Sequence, residues 1–206
     1  SEMCIRDSSY TVAISAQPTG QTCSVNTTTA ATGTISTSNA NVSITCASTT
    51  VISGTASKGI LKKAVVTAYA VTSGGQKGDK IGATQTDDKG GYSINVTGYT
   101  GSVLVELTSN ADTKMTCDVP TGCGSAAFGT DISSTLNLST VIPSAAVGGT
   151  ISAAITPFTH LAAEQARAKG LNKTNIESTL TQVAVLFNLP PLNTTNPAPA
   201  FVRAAV

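Results

Sequence analysis

Few side chains in this 206-residue sequence could do acid–base or ligand chemistry, and their spacing suits few reactions. His160 is the only histidine, and Glu164 follows it by one helical turn. They supply two metal ligands with no third nearby, where zinc takes three or four, so a polar pair on a helix surface is the simpler reading. Asp79, Asp87 and Asp88 are carboxylates able to ligate calcium at one end of a sheet structure. The EF-hand spacing is absent, and shaping turns is the usual role of such residues. No G-x-S-x-G elbow, H-E-x-x-H pair or phosphate-binding glycine loop occurs. A Ser-His-Asp relay would have to use His160. We therefore expect no catalytic residues, no metal and no cofactor.

Charge is equally sparse, at 11% Asp, Glu, Lys and Arg with a formal net charge of +1. That leaves no electrostatic footprint for nucleic acid. Lys58, Lys62, Lys63, Lys77, Lys80 and Lys89 gather in the middle of the chain without interleaved aromatics, which reads as solvated loop charge. No apolar run reaches membrane-spanning length.

Cysteine is the remaining reactive type. Ser1 to Ser8 reads SEMCIRDS, which resembles the in-frame translation of a sequencing adapter, and we set it aside as a scar. Cys4 goes with it, leaving Cys23, Cys46, Cys117 and Cys123. An even number without C-x-x-C suggests two disulfides and an oxidising compartment. Cys23 and Val25 share a strand face, as do Val42, Ile44 and Cys46, which suits a buried Cys23–Cys46 bridge. Cys117-DVPTG-Cys123 would close a small loop as a staple. The six N-x-[ST] sequons are what this Ser/Thr-rich composition yields by chance.

The elements that hold these residues are mostly strands. Tyr10, Val12 and Ile14 alternate with small polar residues, and QPTGQ turns the chain. Ala47 to Thr50 reads as a linker, after which Val51 to Ser57 begins the central unit. Ala64 to Val71 is the strongest strand; Ser73 to Asp79 reads as a loop, Lys80 to Thr86 as a strand and Asp87 to Gly91 as a tight turn. Tyr92, Ile94 and Val96 should face inward, as should Val103, Val105 and Leu107, with Tyr69 also inward. Leu136 to Ile142 and Ile151 to Ile155 offer strands that complete a sandwich. From Thr156 the period becomes helical, with Pro157 at the first position and Phe158, Leu161, Ala162 and Gln165 on one face. Gly170 stops that helix; Thr174 and Glu177 form a capping box for a second, with Ile176, Leu180, Val183, Ala184 and Phe187 on one face.

Two stretches resemble known modules. Tyr10-Thr-Val-Ala-Ile, Gln17-Pro-Thr-Gly-Gln-Thr-Cys23-Ser-Val and Ala40-Asn-Val-Ser-Ile-Thr-Cys46 resemble the end of a β-sandwich repeat of secreted bacterial proteins, whose first strands would lie upstream. Ile52-Ser-Gly-Thr, Ala64-Val-Val-Thr-Ala-Tyr and Thr86-Asp-Asp-Lys-Gly-Gly-Tyr92-Ser-Ile resemble the carboxypeptidase regulatory-like, or transthyretin-like, module. Lys63 stands where many members have Gly. The resemblance covers about a quarter of the chain and implies a fold and an ancillary role. The helical hairpin is similar to an appendage that follows such modules in bacterial surface proteins.

These readings converge on a mainly β chain, an Ig-like or transthyretin-like sandwich with a C-terminal helical hairpin. Its expected parts are 1–8 as scar, 9–47 as partial repeat, 51–156 as regulatory-like sandwich, 157–190 as hairpin and 191–206 as linker or cut end. The expected role is a non-catalytic structural, spacer or adhesion module of a larger secreted or cell-surface protein, located outside the cell or at its surface, with outer-membrane anchoring left open and the partner left open between a cell-surface protein and a polysaccharide. The rivals are a carbohydrate- or protein-binding module and the ancillary domain of a secreted hydrolase.

Overall fold

The computed structural model describes residues 8–26, 31–35, 41–145 and 148–192. Most of the adapter-like segment and the NTTNPAPA tail lie outside them. The first strands are β1 (Ser9–Thr11), β2 (Gln21–Val25), β3 (Thr32–Thr34) and the long β4 (Ile44–Thr55). There follow β5 (Leu61–Lys62), β6 (Val65–Val71), β7 (Lys77–Gln85), β8 (Gly91–Thr97) and β9 (Val103–Thr108). The chain continues through β10 (Lys114–Thr116), β11 (Asp131–Ser133), β12 (Leu138–Ile142) and β13 (Gly149–Ser152) to helices α1 (Pro157–Lys169) and α2 (Lys173–Leu186).

Two sheets face each other across one core. The first is antiparallel in the order β12-β9-β6-β7. In the second, β4 pairs antiparallel with β8 and parallel with β13. Alternation decides which side chains enter the core. Ile52 and Ile94 are register partners and both point inward, as do Val66, Ala68, Val103, Val105 and Leu107 from the opposite sheet. Each such aliphatic side chain contributes roughly 1.5–3 kcal/mol of gross burial energy. Ser93, Asn95 and Thr97 alternate outward on β8.

The first sheet is buried on its other face as well. Leu104 of β9 and Val141 of β12 join Ala162, Ala163 and Ala166 of α1 and Ile176, Leu180 and Val183 of α2 in a second core. Tyr69 and Val71 pack against this helix layer, so Tyr69 faces away from the inter-sheet core rather than into it. The stripe on α1 is alanine, which lets the helix lie close to β12; Leu161, placed on that stripe from spacing, is 36% exposed. Thr156 and Thr159 form a reciprocal capping box, and Pro157 opens α1. For α2 the N-cap is Asn172, whose side chain accepts from the Asn175 N–H at 2.9 Å. The helix therefore starts before Thr174, and Glu177 faces Lys173 at 3.9 Å instead of closing a capping box with it.

Two other boundaries differ from expectation. Ala47 to Thr50 is not a linker but the middle of β4, a 12-residue strand. Its first half pairs with β2 and its second half with β8. Ser and Thr tolerate strand backbone, and no Gly or Pro interrupts them. The expected loop from Ser73 to Asp79 is shorter, since β7 begins at Lys77 opposite Val71. Apart from Cys23, no hydrophobic residue of β1, β2 or β3 is buried, and Ile44 remains 51% exposed.

Candidate functional site

A group of chemistry-bearing side chains gathers where α1 packs on β12 beside β9. Glu106 alternates outward from β9 between Val105 and Leu107, and Lys77 of β7 donates to its Oε2 at 2.6 Å. Arg167 donates to Glu106 through Nη2 and to Glu164 through Nε, the latter at 3.0 Å. One turn back on α1, His160 Nδ1 lies 2.9 Å from Ser139 Oγ on β12 and 3.9 Å from Glu164 Oε1. Glu106, Ser139, His160, Glu164 and Arg167 border a recess of about 230 Å3. Burial alone would raise the Glu106 carboxyl, but hydrogen bonds and charge from Lys77 and Arg167 together hold it below its ordinary value.

Serine, histidine and glutamate are the ingredients of an acyl-transfer relay. A relay needs the imidazole to bridge them, one ring nitrogen on the nucleophile and the other on the carboxylate. Here Ser139 and Glu164 both face Nδ1, Ser139 is 2% exposed, and Arg167 already binds the Glu164 carboxylate. What this geometry does is fasten a helix to a sheet with charge-assisted bonds. The pairing of His160 with Ser139 and the Lys77–Glu106–Arg167 bridge escaped sequence reading, because the partners lie 21 to 61 residues apart. The one local signal was Glu106, a lone charge inside the apolar run Val103–Thr108.

The aspartates separate. Asp87 Oδ1 accepts the N–H groups of Lys89 and Gly91 at 2.8 and 2.7 Å, closing the turn that Gly90 completes at φ 76°. Asp79 sits near the start of β7 and Asp87 beyond its end, so roughly 25 Å of strand divides them. Among the described residues no three His, Cys, Asp or Glu side chains converge. Three of the clustered lysines have carboxylate partners: Lys58 with Asp118 at 3.7 Å, Lys62 with Asp131 at 2.8 Å and Lys77 with Glu106.

The cysteines form two bridges, Cys23–Cys46 and Cys117–Cys123. Cys23 and Cys46 are register partners on β2 and β4; Cys23 is buried while Cys46 is exposed. The short bridged loop carries Asp118, whose side chain is 9% exposed and whose Oδ2 accepts the Gly59 N–H at 2.8 Å. That carboxylate pins the turn between β4 and β5, a role the sequence did not announce. Gly59 is required there: its φ is 65°, and a Cβ would meet Thr116 O at 2.0 Å.

A wider concavity, about 560 Å3, opens on the outer side of the second sheet. Ser53, Ser93 and Ser152 stand in one row across β8, β4 and β13, and Gln85, Thr84 and Asp87 border its far side. No family model, no curated protein and no solved structure matches this chain.

Proposed function

We propose that this chain is a non-catalytic structural and adhesion module of a larger secreted or cell-surface protein, with the regulatory-like sandwich at its centre. The Cys23–Cys46 bridge carries the reading. It ties β2 to the exposed half of β4, where hydrogen bonds alone would hold a strand pair that has almost no core beneath it. Closing a loop of this size contributes about 3 kcal/mol in the chain-entropy model, and such bridges form and persist chiefly in oxidising compartments. Lys63 adds support for the module type: its φ is 56°, the left-handed region where the resemblance implies glycine.

The test is the redox state of the exported chain. Produced in a bacterial periplasm, it should carry no thiol at Cys23, Cys46, Cys117 or Cys123 by alkylation and mass spectrometry, with peptides linked in the two observed pairs. Free thiols in a chain that is nonetheless folded would overturn the export reading.

A further inference from the structure

At the C-terminal end of α2 the chain reverses on itself. Asn188 takes the left-handed region at φ 51°, and its N–H donates to Val185 O at 3.2 Å while Leu189 N–H donates to Ala184 O at 2.8 Å. This is the double bond of a helix C-cap, with asparagine at the position that needs positive φ. The reversal leaves a groove of about 300 Å3, lined by the buried Leu180, Ala184 and Leu192, the half-buried Leu189, and the exposed Val185 and Glu177. Val185 and its neighbour Leu186 are 75% and 70% exposed, more than any other large apolar side chain among the described residues. Apolar surface gathered at one place in this way marks a contact site. We propose that the chain's own C-terminal segment fills the groove, with Phe201 and Val202 seated among the leucines and Arg203 beside Glu177.

Length, composition and charge favour this occupant. Leu192 lines the groove, so the chain leaves from within it, and Asn193 to Val206 follow directly. The spacer Asn193–Ala200 holds Pro197 and Pro199 and no large apolar residue. Its eight residues reach about 25 Å when extended, against roughly 10 Å of helix from Ala184 back to Glu177. Phe201 and Val202 are the first large apolar residues beyond the spacer. Arg203 is the only charged residue from Asn193 to Val206, and Glu177 is the only charged residue of the groove. Lys173 approaches Glu177 only to 3.9 Å, which leaves the carboxylate room for a guanidinium. A second copy suits the site less well. A stable interface takes about 20–30 residues from each partner, and these few side chains at one helix end fall well short. A tethered segment works at millimolar effective concentration, so a contact of roughly millimolar affinity keeps it seated.

Trypsin reads the contact on the full, folded chain, because Arg203 is the only Lys or Arg after Lys173. Cleavage after Arg203 should be about fivefold slower in the parent than in Phe201→Ser, while free peptides spanning Pro199 to Val206 with Phe or Ser are cut at similar rates. Val185→Asn should release Arg203 to the same extent. It changes a solvent-exposed side chain, and unchanged far-UV circular dichroism would show that the helices are intact. In NMR spectra the Phe201 ring should give nuclear Overhauser contacts to the methyl groups of Leu180 and Leu192, lost in Phe201→Ser. The proposal is overturned if parent and both variants are cut equally fast, if those contacts are absent, or if protection of Arg203 fades on dilution. That last outcome would assign the groove to a second copy.

Discussion

Lys63 shows how much one backbone angle can carry. At φ 56° its side chain crowds the following carbonyl, while its N–H donates to Thr86 O at 3.0 Å and its own carbonyl accepts from Asn110 Nδ2. Lys63→Gly should raise stability by about 1 kcal/mol in urea unfolding, because relief of the left-handed strain exceeds the extra chain entropy of glycine. A loss would mean that the lysine stem packs usefully. Glu106 acts through charge. Its folded-state pKa lies below the ordinary value of 4.5, so its contribution is complete above that value and disappears as the pH falls through the lowered one. Parent stability should accordingly drop more steeply than that of Glu106→Gln in acid below pH 4.5, and the two profiles should run parallel at neutral pH. Equal slopes in acid would show that solvent screens the bridge.

At the scale of elements, the outer face of the first sheet is the decisive surface. Leu104 is fully buried there between β9 and the helices, and Leu180 of α2 is 3% exposed in the same cluster. Leu104→Ala and Leu180→Ala should each cost roughly 2–5 kcal/mol, and the double variant less than their sum, because both empty one shared core. Strict additivity would mean that the hairpin and sheet do not pack as one unit. Helical periodicity in the sequence announced α1 and α2 and the Thr156 cap, since capping and amphipathicity are local. It could not say that Leu104 and Val141 point at those helices. Each sits on the face of its strand that alternation alone would send to water.

Over the whole molecule, β4 joins two regions of unequal stability. Its second half lies in the inter-sheet core, with Ile52 fully buried, whereas its first half holds β2 with little apolar burial. Replacing Cys23 and Cys46 together by serine should release hydrogen-exchange protection in β2 and Ile44–Ser48 while β8, β9 and β12 stay protected. Simultaneous loss of protection in both regions would show one cooperative unit. By itself, the sequence determined the strand-rich character, the inward faces of β8 and β9, the Asp87 turn and the two helices, because periods of two and near four and turn chemistry act over a few residues. Only the tertiary structure decided that Ala47–Thr50 continues a strand, that Tyr69 turns toward helices, and that Ser53, Ser93 and Ser152 share one row. Those outcomes depend on which segments pair across 40 to 100 residues, and that choice is made by long-range burial and register.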